Sequence, residues 1–255
     1  MSYKTFLYKL ASMLSPSFYK EISELIPTTH ETLTIFDIGF YNGEFSKKII
    51  ENLDFDSSKQ ITYVYSFDPN NKINRKNFEE FAELNKIHWK HFTYALGDKN
   101  SEENFTILKH FPSSGSSVNN ILINSMWLKS RRFIFSPFTK ESDSTETFEV
   151  IQKTLDSIDL NIKNIDILKI DVEGYSYEVL QGAKETINKF NPIIQLEVLS
   201  RKDEYDKSRE DIIMFLNDLD YKLVSTKKHF TTHIFSDIIC SDLLFTKNKK
   251  VNIED

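Results

Sequence analysis

Three apolar stretches of this chain each end on an acidic residue that is followed closely by glycine or proline. The acids are, in chain order, Asp37, Asp68 and Asp171. Continuous apolar runs of this length are typical of parallel strands that are buried on both faces. Ligands of open α/β sheets bind at the carboxyl ends of such strands. The sequence therefore predicts that the three acids share one crevice at that edge of a sheet.

The order of the segments predicts a doubly wound α/β domain, because apolar strands alternate with helical patterns. No helical pattern separates the last two strands, which indicates an antiparallel hairpin at one edge of a mostly parallel sheet. Strand 103–108 is expected to pair with the strand before it, across the turn at Gly97. The predicted strands are 33–38, 61–67, 87–96, 103–108, 165–170, 193–198, 221–225 and 241–246, and the helices are 42–53, 70–85, 175–190 and 207–219.

Two regions lie outside this alternation. Residues 1–30 are predicted to form a helical extension of the domain at 31–255, since apolar residues recur at helical spacing from 3 to 26. The pattern is lost between 109 and 147, and a segment this long inside a compact domain is typical of a lid or a substrate-binding insertion. An insertion with no role in chemistry is the alternative, with equal weight.

Composition narrows the functional classes. The net charge of −6 argues against a general nucleic-acid-binding role, and no apolar run is long enough to span a bilayer. Cys240 is the only cysteine, so an intrachain disulfide and a cysteine-based metal site are not expected. A reducing, cytoplasmic location agrees with this cysteine content. Nothing in the sequence indicates the oligomeric state.

The first strand-to-helix turn holds Asp37, Gly39 and Gly43. The glycine spacing is G-x-x-x-G and not the G-x-G-x-x-G of a pyrophosphate cradle. Gly39 would let the backbone approach a ligand, and Gly43 would let the helix pack near the strand. The carboxylate of Asp37 would suit a cationic ligand, such as an amino group or a sulfonium. A tight turn with no ligand is the alternative.

Two further strand ends carry acids that are candidate ligand-binding residues. A carboxylate at Asp68 accepts hydrogen bonds from both hydroxyls of a ribose, or alternatively caps the next helix. Asp171 and Glu173 share one face of an extended chain and would point to a common centre. They would ligate a divalent cation, orient an acceptor hydroxyl or hold a cofactor amino group, unless Glu173 only caps the following helix.

Histidine and arginine side chains are the other candidate catalytic and substrate-binding residues. His229 and His233 lie in one predicted loop, where either can act as a general base near neutral pH or be a plain surface residue. Arg131 and Arg132 lie in segment 109–147 and would bind an anionic substrate. The alternative is that they belong to a solvent-exposed loop with no ligand.

The motifs, taken in order, resemble those of the FkbM family of methyltransferases. The Lys-Ile-Asp-Val-Glu-Gly run is the most specific of them. The similar residues are Asp37-Ile-Gly39 with Gly43, Phe67-Asp68-Pro69-Asn70, Ala95-Leu96-Gly97-Asp98, Thr154-Leu155-Asp156-Ser157, and Leu168 to Gly174 with Leu180-Gln181-Gly182-Ala183.

The resemblance implies a Rossmann-like, seven-stranded sheet whose last strand is antiparallel, and S-adenosylmethionine as the cofactor. It places Asp37 and Gly39 at the methionine part of that cofactor and Asp68 at its ribose. Ala95 and Asp98 match the adenine end. Asp171 matches the position where similar enzymes have catalytic or metal-binding acids.

Two positions depart from the family's pattern. Phe40 and Tyr41 stand where the family usually has Ala-Asn, and they are expected to narrow the methionine end of the pocket. Asp68 stands where glutamate is more usual.

The resulting hypothesis is an S-adenosylmethionine-dependent O-methyltransferase that acts on a hydroxyl of a glycan, sugar or natural-product precursor. A nucleotide-sugar or NAD-dependent oxidoreductase and a noncatalytic S-adenosylmethionine-binding protein are the alternatives. Asp171 is the preferred base, with His229 and His233 in reserve. A metal is not expected, because Asp171 and Glu173 alone are too few ligands.

Overall fold

A computed structural model of the chain describes residues 18–26, 31–53, 60–108, 118, 125, 145–229 and 237–247. The strands are β1 (Thr32–Ile38), β2 (Ile61–Phe67), β3 (His88–Phe92), β4 (Ala95–Leu96), β5 (Ser101–Leu108), β6 (Thr145–Lys153), β7 (Ile167–Ile170), β8 (Ile193–Arg201), β9 (Lys222–Lys228) and β10 (Ile238–Thr246). The helices are α1 (Tyr19–Leu25), α2 (Glu44–Asn52), α3 (Lys76–Leu84), α4 (Ser176–Gln181), α5 (Lys184–Phe190) and α6 (Tyr205–Asn217).

The main sheet has seven strands in the order β3-β2-β1-β7-β8-β10-β9. The first five are parallel to their neighbours, whereas β10 runs antiparallel to both β8 and β9. The predicted fold class, a doubly wound sheet with an antiparallel C-terminal hairpin, is confirmed. The strand order reverses between β1 and β7, and a crevice opens outside the carboxyl ends of strands at such a switch point.

Both faces of the sheet are covered, which explains the continuous apolar runs. In β1, Leu33 and Ile35 join one buried cluster, while Phe36 and Ile38 join the cluster on the opposite face. Helix α1 packs into the first of these clusters through Phe18 and Ile22, each fully buried. The described part of the predicted N-terminal extension therefore shares the core of the α/β domain, and its remainder lies outside the described residues.

A second, three-stranded sheet has the order β4-β6-β5. The predicted pairing of strand 103–108 with its predecessor was wrong, because β5 pairs antiparallel with β6 instead. Apolar packing between strands that are distant in sequence outweighs the local turn signal. Phe105 and Ile107 of β5 pack with Phe148 and Val150 of β6. The predicted strand 87–96 is accordingly divided, with β3 in the main sheet and β4 in the small one.

Two helices also differ from their predicted bounds. Helix α3 begins at Lys76 and not at Asn70, since the turn before it is held by Arg75, whose Nη2 donates to the carbonyl of Asn70 at 2.8 Å. The predicted helix 175–190 is interrupted at Gly182, where a Cβ would lie 1.9 Å from the carbonyl oxygen of Gly97. None of the helices in the described ranges is long and apolar enough to cross a membrane.

Candidate cofactor and acceptor site

A cavity of about 690 Å³, its open mouth included, lies at the carboxyl ends of β1, β2, β4 and β7. Three of its walls come from the predicted strand-end turns, which meet here as expected. The lining residues include Gly39, Tyr41, Asp68, Ala95, Asp171, Glu173 and Tyr175.

Gly39 brings two of these turns into direct contact. Its φ is +74°, and a Cβ at this position would lie 1.7 Å from the carbonyl oxygen of Asp171. Its N–H donates to the carbonyl of Phe67 at 2.9 Å, which ties the turn to the end of β2. Only glycine meets both requirements, so the predicted close backbone approach is present, although between two protein segments.

Two residues without glycine's freedom are also held at positive φ in the cavity wall. Tyr41 has a φ of 48° and Glu173 a φ of 52°. Such conformations cost about 1–3 kcal/mol each and tend to cluster at functional sites, where surrounding structure enforces them. The N–H of Tyr41 donates to Oδ2 of Asp68 at 2.7 Å, which is one contact that holds this geometry.

We expect Gly39→Ala to lower the free energy of unfolding by at least about 2 kcal/mol, because the added Cβ combines a positive φ with a backbone clash. Urea denaturation would measure the loss. Gly97→Ala is the comparison variant, since the atoms nearest to its Cβ belong to a side chain, that of Gln152, and not to the backbone. Equal stability of the two variants would contradict the close-contact interpretation.

Asp68 lies at the centre of the cavity wall and is 7% exposed. Its Oδ1 accepts from the N–H of Asn70 at 2.8 Å and lies 3.5 Å from the guanidinium of Arg75. Burial raises the pKa of Asp68, while Arg75 and the N–H groups of Asn70 and Tyr41 act in the opposite direction. A carboxylate has about four acceptor positions, so these contacts fix its orientation and leave capacity for a ribose hydroxyl.

The opposite end of the cavity is apolar. Its walls come from Phe67 and from the small sheet, which contributes Ala95, Leu96 and Phe105. An apolar wall suits a heteroaromatic ring such as adenine. Asp98, predicted at this end, is exposed and does not appear among the described lining residues.

A buried lysine connects β1 to β7 beneath the cavity. The Nζ of Lys169 donates to the carbonyl of Gly39 at 2.7 Å and lies 3.2 Å from Oδ1 of Asp37 and 3.4 Å from Oδ2 of Asp171. Ser46 donates to Oδ2 of Asp37 at 2.6 Å. Burial alone would lower the pKa of Lys169, but the carboxylates of Asp37 and Asp171 outweigh it and raise that pKa.

Asp37 is fully buried in this network, and burial raises its pKa against the effect of Lys169. It does not appear among the described residues that line the cavity. Asp37 supports the turn at Gly39 and the acid at Asp171 through Lys169, and its predicted contact with the cofactor stays a prediction.

Four carboxylates gather beside the cavity, and we call this group the acidic crevice: Asp171, Glu173, Glu197 and Asp242. Burial raises the pKa of Glu197 well above its usual range, and the charges of Asp171 and Glu173 raise it further. Burial also raises the pKa of Asp242. Asp171 and Glu173 belong to both the crevice and the cavity wall, so the two spaces adjoin.

His229 lies against this crevice at the end of β9. Its Nε2 is 3.1 Å from Oδ2 of Asp242. Burial would lower the pKa of His229, but the hydrogen bond and charge of Asp242 raise it overall. The predicted role of His229 as a reserve base stays a prediction. His233, Arg131 and Arg132 lie outside the described residues.

Phe40 and Gly43 pack against Phe78 of helix α3. Phe40 packs edge-to-face on Phe78, with ring centroids 4.9 Å apart, and is 2% exposed. A Cβ at Gly43 would lie 2.5 Å from both of these rings. The expected narrowing of the pocket by Phe40 is therefore corrected, and only Tyr41 of that pair reaches the cavity.

Sequence reasoning missed Lys169, Glu197 and Asp242. Each is a charged residue inside an otherwise apolar strand, which is itself a signal, since charges are rarely buried unless they are paired or bind an ion.

Comparison of the sequence with known protein families shows the family to which this chain belongs. Residues 37–223 match the family model described as the methyltransferase FkbM domain. The chain belongs to the FkbM methyltransferase family. The resemblance seen in the motifs is thereby confirmed, and with it S-adenosylmethionine as the family's cofactor. No curated protein matches the chain.

One solved structure with a TM-score above 0.5 agrees with the fold of this FkbM methyltransferase chain. The FkbM methyltransferase of Methylobacillus flagellatus KT is 14% identical with a TM-score of 0.51, over 91% of this chain and 50% of that one. The present chain thus spans about half the length of that protein. M. jannaschii TYW2, solved with AdoMet, is 11% identical with a TM-score of 0.43, over 90% of this chain and 74% of that one.

Proposed function

We propose that this FkbM methyltransferase chain transfers methyl groups from S-adenosylmethionine to a hydroxyl of a sugar, glycan or natural-product precursor. The observation that carries the proposal is the position of Asp171, which belongs to both the wall of the cavity and the acidic crevice. A group bound in the first space would adjoin an acceptor in the second. Family membership favours this reading over an oxidoreductase. A cytoplasmic location is part of the same proposal.

The residues of the cavity fit the cofactor. Asp68 would bind the ribose hydroxyls, and the apolar wall at Ala95 and Leu96 would hold the adenine. The turn at Gly39 and Tyr41 would contact the methionine part. When bound, S-adenosylmethionine supplies a methyl group on a positively charged sulfur, which is reactive without further activation.

The chain must therefore align an acceptor oxygen and take its proton. Asp171 is the proposed proton acceptor, because its side chain is 44% exposed at the junction of the two spaces. Its orientation is maintained by Lys169 at 3.4 Å. His229, paired with Asp242, is the reserve base within the described residues, and His233 remains a candidate from sequence.

The class of acceptor is a separate part of the proposal. Arg131 and Arg132 belong to segment 109–147, and we propose that they bind an anionic group of the acceptor. The structure contributes one supporting fact, since β5 and β6 begin and end this segment beside the cavity. Arg131→Ala with Arg132→Ala should raise the KM for the acceptor and leave cofactor affinity unchanged. An unchanged KM would contradict the proposal.

An acceptor screen tests the activity itself. The protein would be incubated with S-adenosylmethionine and a panel of sugars, glycans and hydroxylated natural products, and products would be identified by mass spectrometry. A product that carries one added methyl on oxygen is the expected result. Cofactor binding without any methylated product across the panel would instead support a noncatalytic binding protein.

Asp68→Ala is expected to weaken the binding of S-adenosylhomocysteine by about 1–3 kcal/mol, through loss of charge-assisted hydrogen bonds. Calorimetry would measure the affinity. Asp68→Asn is the matched variant, because it keeps an acceptor oxygen and most of the packing but loses the charge. Unchanged affinity in a folded Asp68→Ala protein would show that this acid only holds the turn at Asn70 and Arg75.

A further inference from the structure

Three chemically different metal ligands meet at the antiparallel edge of the main sheet. Glu197 of β8, Cys240 of β10 and His229, directly after β9, have ligand atoms that all lie within 4.8 Å of one another. In the register of β8 and β10, Glu197 lies opposite Asp242, and Cys240 is two residues away on the same face. The N–H of His229 donates to the carbonyl of Cys240 at 3.0 Å. The pairing of the strands therefore brings an oxygen, a nitrogen and a sulfur donor into one group.

The spacing of the three donor atoms is close to that of a metal centre. Ligands bonded to zinc at about 2.0–2.3 Å stand roughly 3–4 Å apart at tetrahedral angles. The Sγ of Cys240 lies 3.0 Å from Oε1 of Glu197, and no pair in the group is more than 4.8 Å apart. Small rotations of these side chains would therefore place all three donors at bonding distance from one ion.

The hydrogen bonds of Glu197 do not account for its buried carboxylate. Its Oε1 accepts from the thiol of Cys240, which is a weak donor. Its Oε2 is buried and has no hydrogen-bond partner among the described residues. A buried carboxylate oxygen without a partner calls for a proton or a bound cation. Glu197 thus points to a ligand independently of the cysteine beside it.

His229 is held in the manner of a metal ligand. Its Nε2 is 3.1 Å from Oδ2 of Asp242, which is not itself a member of the group. Metal-binding histidines characteristically place one ring nitrogen against a carboxylate, which sets the tautomer and the ring orientation, and bind the metal through the other. The side chain of His229 is 21% exposed, whereas Cys240 is 3% exposed. The group is therefore open to solvent on the side of the histidine.

We propose that Glu197, His229 and Cys240 bind a divalent cation of the zinc class. A thiolate together with an imidazole selects Zn²⁺ over Mg²⁺ and Mn²⁺, which prefer oxygen ligands alone. The thiol proton is released to solvent when the metal–sulfur bond forms. The metal-free expectation from sequence counted cysteines and neighbouring acids only, and the fold adds a histidine and a carboxylate that are distant from Cys240 in sequence.

The cation would lie one carboxylate away from the proposed proton acceptor, because Glu197 also has a ligand atom within 4.8 Å of those of Asp171 and Glu173. As a ligand, His229 would no longer serve as the reserve base. Three protein ligands leave a fourth tetrahedral position for a water or an acceptor oxygen. That last role rests on the proposed function, whereas binding of the cation does not.

The test uses the full chain after treatment with a chelator, and Co²⁺ as a spectroscopic substitute for Zn²⁺. A cobalt–thiolate bond gives a charge-transfer absorption band in the near ultraviolet. Cys240 is the only cysteine of the chain, so no other thiol can produce this band. We expect the band to rise to saturation during a Co²⁺ titration and to disappear when Zn²⁺ displaces the cobalt.

Single variants assign the ligands. Cys240→Ala should abolish the band, and Glu197→Gln and His229→Gln should each weaken Co²⁺ binding at least tenfold. Asp242→Asn should weaken it by about 10–100-fold through the orientation of His229. His88→Gln, which removes an exposed histidine of β3, is the matched control and should bind like the unmodified protein.

Absence of the charge-transfer band at saturating Co²⁺ in the unmodified protein would overturn the proposal. So would unchanged binding in folded Glu197→Gln and His229→Gln proteins, with folding checked by thermal denaturation. If Glu197→Gln does not fold, His229→Gln and Asp242→Asn decide the question. S-adenosylhomocysteine calorimetry on the same samples separates the two proposals, because its failure beside an intact Co²⁺ site would refute only the methyltransferase function.

Discussion

Asp171→Asn is expected to lower kcat for methyl transfer by about 10²–10⁴-fold, the contribution typical of a positioned general base. The change keeps the shape of the side chain and removes its proton affinity. Affinity for S-adenosylhomocysteine should change little, because the cavity is otherwise intact. Steady-state kinetics with an identified acceptor would measure the effect.

The control for this variant is Asp159→Asn, an exposed acid in a turn before β7. It should leave kcat unchanged. Full activity of Asp171→Asn would remove this acid from the mechanism, and the histidines would become the candidates for the base. A loss of acceptor affinity without a loss of kcat would indicate that Asp171 only orients the acceptor.

Lys169→Met is expected to lower the free energy of unfolding by about 3–5 kcal/mol, the usual cost of removing one partner of a buried ion pair. Asp37 is fully buried and would keep only Ser46 as a side-chain partner among the contacts described above. The carbonyl of Gly39 would lose its bond as well. Urea denaturation measures the stability, and S-adenosylhomocysteine affinity should fall with it.

Two variants make this prediction specific. Lys47→Met removes a half-exposed lysine of α2 that pairs with Glu51 at 3.8 Å, and should cost less than about 1 kcal/mol. The double variant Asp37→Asn with Lys169→Met should recover part of the loss, since it no longer leaves a charge unpaired. A Lys169→Met protein as stable as Lys47→Met would show that the network does not support the site.

The centre of the main sheet could be predicted from the sequence because β1 and β7 are buried on both faces. β1, β2 and β7 read as apolar runs that end beside acids, and these strands lie adjacent in the sheet. The pairing of β5 with β6 could not be predicted, because the two strands are separated by the long segment whose pattern is lost. Local turn chemistry pointed to the nearer strand, whereas cross-strand packing of Phe105 and Phe148 favours the distant one.

The wall of the cavity could be predicted where single strand ends form it, as at Asp68 and Asp171. Contacts between side chains from different strands could not be predicted. Lys169 explains why Asp37 is buried, but only the adjacency of β1 and β7 brings them together. Glu197 and His229 likewise meet through the antiparallel pairing of β10 with β8 and β9.

Titration of the unmodified protein with S-adenosylhomocysteine in a calorimeter tests the central claim most directly. The cavity at Gly39, Asp68 and Ala95 predicts saturable binding well below high micromolar concentrations, and no comparable binding of NAD or a nucleotide sugar. Asp68→Ala should weaken that binding in the same experiment. Failure to bind S-adenosylhomocysteine at high micromolar concentrations, or tighter binding of NAD, would contradict the account.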